Sequence, residues 1–543
     1  MPAKRAPRDS RFVPACQAGC ETRASGGASL APRAGMNVAL SAALPVATPR
    51  EARRRRLFTL VAALLAAIYG ARVLVAATVW IFDPDVWWVA AAGREILTTR
   101  LVPTQNLFSF VEPAHPWVMH EWLLGVPYAF LVERMGPAGF ALVALGVAAS
   151  ALLLIVWATV GRARLLLVGL AMASVALCCF GDRFLTARPT HIALLFPLLL
   201  TPVAFGSRFS RESILVAATV ECIWTNSHGS FPLGIAVLAA GALDQPIDRA
   251  RRILGTVVAA SMTFVNPYGL SLHRLVLGYA GGNDGIYREI HQHITEFDSI
   301  LRSSAVDPRQ QAALAALSVV VIGMFFARKY RARAVLCALL IGMAIRQARQ
   351  CEVAGLLTCS LIVPYLDGLL EGVQFASLDV PGLRRKMALI LTLPPIAVGI
   401  AAFAMTYRSR TPDEWLGEGA PFVHVVEATP DDARAFVPFH DAGQAIWYGW
   451  PRGIRVYYDP RNDCYDAATF RSFRELEFGP LSADAGTKLS QAGADTAIVP
   501  RGAPLAERLA EDDSWTRVRG EGDWLLYRTA PESLVRKLRL AEP

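Results

Sequence analysis

From Leu57 to Tyr407 the chain alternates between apolar runs and short polar connections. The first run, 57–80, is long enough to cross about 30 Å of hydrocarbon and carries one internal charge, Arg72. Arg53-Arg54-Arg55-Arg56 precedes it, and the positive-inside rule then puts the N-terminus in the cytoplasm. A polar, aromatic segment, 81–136, follows as a first outer loop. Within it Val89 to Leu97 is amphipathic. Residues 121–132 are apolar but short for a span, and suit a helix lying on or dipping into the interface. Alternation then resumes. Residues 137–160 run inward, 165–181 outward, 190–206 inward, 212–226 outward, 230–243 inward and 253–268 outward. After a second outer loop at about 269–308, residues 309–327 run inward, 334–345 outward, 352–368 inward and 387–407 outward. This predicts about eleven spans, several of them short. An odd number sets the remaining residues, 408–543, opposite the cytoplasm.

That last part changes period. Gly453–Tyr458, Thr496–Pro500 and Trp524–Tyr527 read as strands, and Asp431–Phe436 and Leu505–Glu511 as helices, together a small α/β domain. It has no glycine-rich phosphate loop and no evident nucleophile–base pair. Residues 1–50 are rich in Ala, Pro, Arg and Gly, without apolar periodicity or a secretory apolar core. They read as a disordered basic tail, with Met36 as a second candidate start.

Composition agrees with a membrane protein. The 543 residues are 54% hydrophobic and 18% charged, against about 45–50% and about 25% in soluble domains. The predicted fold class is mainly α: a polytopic helical membrane domain, 51–407, with a small extracytoplasmic α/β domain, 408–543. The net charge of +9 resides largely in the tail and in Arg clusters between apolar runs, which topology explains without nucleic acid. The nine cysteines show no metal-ligand spacing, and Cys464 alone falls in the outer domain, so no disulfide framework is implied.

The map has a consequence it was not drawn from. Asp83, Asp85, His120, Glu121, Arg183, Arg188, His191, Asn226, His228, Asn266, Tyr268, Arg346 and Arg349 all fall on the outer face. Ionisable groups at membrane depth mark cavities and substrate paths, so this clustering points to a polar cavity opening outward. In Asp83-Pro84-Asp85, two carboxylates at i and i+2 of an extended segment share one face. They suit one divalent cation, or one of them serves as a general base. Trp87 and Trp88 either stack on a sugar face or belt the membrane. Arg188, Arg346 and Arg349 are phosphate binders or snorkelling cations, the last two a helical turn apart. His228 is a hydrogen-bond donor or a site residue, and Glu121, beside His120, is a second acid or a helix cap. Asn266 and Tyr268 read chiefly as a span terminus with a turn. His291 and His293 read as a solvated pair or a metal pair.

The series Asp83-Pro-Asp85-x-Trp87-Trp88, Pro103-Thr104, Ser109-Phe110, Pro116-Trp117-x-x-His120-Glu121-Trp122, Ala187-Arg188-Pro189, Trp224-x-Asn226-x-His228-Gly229 and Asn266-Pro-Tyr268-Gly269 resembles a widespread group of bacterial multi-span proteins. Tyr458-Asp459-Pro-Arg461-Asn-Asp463-Cys-Tyr465 and Ala497-Ile-Val-Pro500-Arg501 fit the same group's outer domain. The group is similar to the GT-C superfamily of membrane glycosyltransferases, the class of the dolichyl-phosphate-mannose protein mannosyltransferases. The resemblance covers about 57–530. It implies a polyprenyl-phosphate-linked sugar donor, a glycan, lipid or protein acceptor on the outer side of a bacterial plasma membrane, and inversion at the anomeric carbon. Asp83 or Asp85 would be the base or a metal-associated group, with Trp87, Trp88, His120, Glu121, Arg188, His228, Asn266, Tyr268, Arg346 and Arg349 toward substrate. Arg346-Gln-Ala-Arg349-Gln-Cys departs from the Arg-Phe-Ile-Pro-like segment frequent in the group. The competing reading is a non-catalytic transporter or binding component for envelope polysaccharide or lipid.

Overall fold

The computed structural model describes residues 49–79, 83–281, 285–303, 306–370 and 382–530. The expected tail, up to residue 48, and the end of the first apolar run at 80–82 lie outside them.

Five helices open the described chain: α1 (Pro49–Ala76), α2 (Pro84–Thr99), α3 (Trp122–Met135), α4 (Ala138–Thr159) and α5 (Leu166–Phe180). Among the described residues, six segments are long and apolar enough to cross a membrane: 56–76, 138–159, 166–185, 308–326, 348–370 and 383–409. Their outer faces carry exposed large apolar side chains, including Leu64, Val319, Phe326, Leu389 and Ile400. In water such a surface is a liability; against lipid it is the favourable partner. The count differs from the expected eleven because the other apolar runs fold as shorter helices. Pro189–Ala193 and Leu195–Ala204 break one run, and Arg211–Thr225, Pro232–Asp244, Arg249–Met262 and Arg331–Arg346 each have 16 residues or fewer. At 1.5 Å per residue, helices of that length fall short of about 30 Å.

The charges sort by end of the bundle. At the end where α4 passes into α5, Arg162 donates to the Phe205 carbonyl, Arg252 to the Gly206 carbonyl, Arg384 to the Ala163 carbonyl, and Arg333 pairs with Asp244 at 2.8 Å. Each cation covers carbonyls or a carboxylate that the helix ends leave open. The segment between α1 and α4 lies at the other end and is mostly helical. There α2 and α3 pack so closely that a Cβ on Gly93 would overlap the Gly125 carbonyl. Only hydrogen side chains permit that approach.

The C-terminal part is a mixed five-stranded sheet flanked by helices, in the order β2-β1-β3-β5-β4. Its strands are β1 (Arg434–Phe436), β2 (Arg455–Val456), β3 (Thr496–Pro500), β4 (Trp515–Glu521) and β5 (Trp524–Thr529). β1 is parallel to β2 and β3, while β3–β5 and β4–β5 are antiparallel. The expected helix at Asp431–Phe436 is not formed. Asp432 is left-handed (φ 58°) and β1 inserts between two parallel strands, where Ala435 and Phe436 are buried. The segment between α2 and α3 joins this sheet: Val456 N–H donates to the Phe108 carbonyl and Phe110 N–H to the Val456 carbonyl.

That joint is reinforced by a buried ion pair. Arg461 and Asp459 are fully enclosed and 2.5 Å apart. Tyr465 donates to Asp459, Arg461 donates to Asn106 at 2.7 Å, and its guanidinium lies over Phe108 and Trp117. The Tyr458–Tyr465 motif is thus a clasp between the first loop and the C-terminal domain.

Gly93→Ala is expected to lower the unfolding free energy by about 3 kcal/mol or more, because a carbonyl cannot yield as a side chain can. Gly146→Ala, inside helix α4 where the Cβ meets nothing within 4 Å, is expected to leave it unchanged or raise it by up to about 1 kcal/mol. Chemical unfolding in detergent measures both.

Candidate functional site

Asp83-Pro84-Asp85 is a helix start. Asp83 is the N-cap of α2, in extended conformation, and its carboxylate accepts the Asp85 N–H at 3.0 Å. Pro84 takes the first helical position, where its missing N–H costs nothing. The two carboxylates therefore do not share a face of an extended segment as expected, since Asp85 already turns with the helix. Asp83 is buried, and burial pushes its carboxyl up to about 6, with Arg188 pulling down and Asp85 pushing further up.

Asp85 reaches a different partner. Its Oδ1 accepts the Trp88 indole N–H at 3.2 Å, and its Oδ2 lies 2.7 Å from Arg188 Nη2. Arg188 Nη1 meets Glu296 Oε1 at 2.6 Å. Arg188 thus bridges the first helix after α1 to the loop preceding Pro308. Burial disfavours the Glu296 carboxylate, but Arg188, helped by Arg349 and Arg183, outweighs it and holds the pKa at about 2.

A second group adjoins the first. His120 and Glu121 precede α3, and His228 lies in the turn after helix Arg211–Thr225. Trp122 donates its indole N–H to Asn226 Oδ1 at 2.9 Å, and Leu123 N–H donates to the Asn226 carbonyl. This ties the start of α3 to the turn bearing His228. The ligand atoms of His120, Glu121 and His228 all come within 4.8 Å of one another. Burial pushes Glu121 well above the carboxylate range, and Asp85 adds to that. Burial likewise pushes the His120 imidazole down to about 4 and His228 well below its ordinary value.

Of the other expected site residues, Trp88 stays at the centre through its bond to Asp85 and Arg349 acts on Glu296, while the rest make contacts of their own. Trp87 is buried between Phe140 and Tyr448, and Trp88 is buried against Trp117. Both indoles are packed against protein rings in this structure. Asn266 accepts the Tyr268 N–H and donates to the Thr263 carbonyl, closing a turn. Tyr268 donates its hydroxyl to the Pro103 carbonyl at 2.6 Å. Arg346 and Arg349 do not share a helix face, because the helix ends at Arg346 and Gln347 is extended. Arg346 is exposed, whereas Arg349 turns inward over the Phe297 ring. His291 and His293 are on one short helix but diverge: His291 contacts the Tyr279 carbonyl, and His293 the Glu289 side chain.

Two carboxylates escaped the sequence reading as site residues. Glu296 gave no signal beyond its place in the second loop. Asp463 stood in the quoted motif, two residues from the clasp. It accepts the Tyr279 hydroxyl at 3.3 Å, and burial pushes its carboxyl up to about 7 against the pull of Arg461. It lines a cavity of about 340 Å³ with Pro116, Val118, Ser271, Arg274, Leu275 and Tyr287.

Among the described residues the metal-capable cluster is His120–Glu121–His228. The Asp83–Asp85 pair, expected as a cation site, is committed to an N–H, an indole and a guanidinium instead.

Arg188→Gln is expected to cost about 1–3 kcal/mol near pH 7, the fully buried value being discounted for partial exposure. Glu296 has a depressed pKa, so its pairing stabilises above the ordinary carboxylate pKa of about 4.3. The contribution is lost as pH falls toward about 2. The gap between wild type and variant should therefore narrow below about pH 4.5, which thermal melts at stepped pH will read.

No family model matches the chain, and no curated protein sequence matches it. Solved structures similar to it include the archaeal oligosaccharyltransferase AglB from Archaeoglobus fulgidus, in complex with an inhibitory peptide and a dolichol-phosphate. That likeness has a TM-score of 0.47 at 11% identity, over 83% of this chain and 70% of that one. ArnT from Cupriavidus metallidurans in the apo state is similar at a TM-score of 0.47 and 14% identity, over 89% and 99%. The same protein bound to undecaprenyl phosphate gives 0.46 and 15%, over 88% and 98%.

Proposed function

We propose that this chain is a membrane glycosyltransferase that moves a sugar from a polyprenyl-phosphate carrier to an acceptor on the side of its C-terminal domain. The observation that carries this reading is the placement of Asp83, with a carboxyl near 6, beside the Asp85–Arg188–Glu296 chain at one end of a lipid-facing bundle. A carboxyl at that value is ionised at pH 7 yet basic enough to take a proton in a transition state. A guanidinium beside it supplies a bidentate phosphate partner.

In the proposed reaction the acceptor hydroxyl gives its proton to Asp83 as its oxygen bonds to the anomeric carbon. The bond from that carbon to the phosphate oxygen breaks, and its electron pair leaves with the phosphate. Arg188 exchanges a carboxylate contact for the phosphate, which neutralises the charge as it develops. Attack opposite the leaving group inverts the anomeric carbon. Arg349, close enough to Glu296 to bear on it, is a second cation for the carrier phosphate. The cavity beside Asp463 is the acceptor's entry.

Wild-type protein in membranes, offered a panel of polyprenyl-phosphate sugars, should show transfer that rises with pH through about 6, as Asp83 loses its proton. Asp83→Asn keeps a good N-cap, so the helix start is preserved. It should cost about 100-fold or more in rate and abolish the limb. Asp85→Asn should slow transfer and keep the limb. Wild-type rates in Asp83→Asn would sink the assignment. Carrier binding without transfer in the wild type would favour the transporter or binding-component reading.

A further inference from the structure

The centre has a half that the proposed sugar transfer does not use. Glu121 is buried, and its Oε2 has no hydrogen-bond partner. Its Oε1 faces two imidazole edges, His120 Nε2 at 3.6 Å and His228 Nε2 at 3.9 Å. Both separations exceed the span of an N–H···O hydrogen bond, about 3.2 Å at most. Two buried groups and the half-buried His120 therefore converge on a gap that they do not close among themselves. An unpaired carboxylate in such a place is costly.

The far side of each ring is committed. His120 Nδ1 lies 3.4 Å from the Val118 carbonyl, which requires Nδ1 to be the protonated nitrogen for that contact and leaves the Nε2 lone pair free. His228 Nδ1 lies 2.8 Å from the Ser230 hydroxyl and 3.1 Å from its backbone nitrogen. Ser230 in turn accepts the Trp224 indole N–H at 3.1 Å. Ser230 N–H donates to Nδ1, so the neutral ring carries its proton on Nε2, the atom left toward Glu121; a metal ion at Nε2 moves that proton to Nδ1, where the Ser230 hydroxyl accepts it. Partners of this kind orient metal-bound histidines. The Asn226 tether to α3 supplies the rigidity, joining the two chain segments independently of the cluster.

We infer that His120 Nε2, Glu121 and His228 Nε2 form a binding site for one transition-metal ion of the Zn²⁺ type. Bonds of about 2.0–2.1 Å in tetrahedral geometry set ligand atoms about 3.3 Å apart. The separations of 3.6 and 3.9 Å to Glu121, within a group whose ligand atoms lie up to 4.8 Å apart, contract to that by rotation of the two imidazoles toward the gap. Two imidazoles with one carboxylate favour zinc over magnesium or calcium, which take oxygen ligands. Three protein ligands leave a fourth position open, as in sites that hold water or substrate. The ion would neutralise Glu121 and fasten the start of α3 to the 226–229 turn.

The test uses the full chain in detergent. After EDTA treatment and reloading with zinc alone, elemental analysis of wild type is expected to give about one zinc per chain. Cobalt substitution should produce the visible bands of a four- or five-coordinate ion with nitrogen ligands. Glu121→Gln and His228→Gln are each expected to weaken zinc binding by more than about ten-fold. His291→Gln, outside the cluster, should leave it unchanged. Zinc should raise the wild-type melting temperature and leave those of the two cluster variants in place. Should a cluster variant fail to fold, the wild-type stoichiometry and cobalt spectrum decide alone. Less than a small fraction of one zinc per chain, or equal binding by folded cluster variants, overturns the inference.

Discussion

Everything at this end of the bundle depends on how one half-buried cation is neutralised. Arg188 gives one terminal nitrogen to Asp85 and the other to Glu296. Three segments far apart in the chain are held by that single guanidinium: the first turn of α2, the residue before Pro189, and the loop before Pro308. Burying any one of these charges alone would be prohibitive, so none can be placed without the others. Two carboxylates around one cation leave an excess negative charge, and Asp83 sits within its reach. Burial raises its proton affinity, and the ion chain acts on it in both directions, Arg188 lowering it while Asp85 and Glu296 raise it.

The scaffold serves that arrangement at two scales. Locally, the near contact of Gly93 and Gly125 brings α2 against α3, which sets Asp83 and Asp85 beside His120 and Glu121. At longer range, the Asp459–Arg461 clasp binds the loop at Asn106 and Phe108 to the C-terminal sheet. The same clasp delivers Asp463 to the cavity edge. A buried pair of this kind is weak evidence for stability, but it fixes register between two parts that otherwise share short edges. Arg94 adds to it, lying over the Trp447 ring at 3.3 Å and donating to that residue's carbonyl.

What was legible in the sequence followed from period and from punctuation. Long apolar runs gave the long helices, and Thr496–Pro500 was read to the residue because its apolar run is bounded by turn residues. The short apolar runs fold as short helices, one of them divided at Leu194 ahead of Pro197, which hydropathy alone does not register. Asp431–Phe436 misled because a charged, helix-like start was overridden by pairing with two parallel strands. In the candidate site, the aspartates, His120, Glu121, Arg188 and His228 were singled out because ionisable residues at membrane edges are rare. Glu296 and Asp463 were not, because their significance lies in which cation or cavity they meet across more than 100 residues. Trp87 and Trp88 show the converse: an aromatic pair beside acids reads as a ligand platform, and the sequence carries no sign that both rings pack against protein rings.

The two halves of the centre differ in one respect, and it separates their roles. In the Asp85–Arg188–Glu296 half, each charge has an opposite at hydrogen-bond distance. That half is stable as it stands and must be opened for Arg188 to take a phosphate. In the His120–Glu121–His228 half, the carboxylate has no hydrogen-bonded counterpart, and its imidazoles are uncharged at neutral pH because burial lowers them. A buried acid among neutral bases is satisfied either by a proton or by a cation. A proton satisfies one oxygen and gives the second imidazole nothing. A divalent ion satisfies all three groups in one step, and it offsets the negative charge that Asp83, Asp85 and Asp463 project onto Glu121. The surplus of carboxylates at this end of the bundle, costly in isolation, is thereby what gives a cation its affinity.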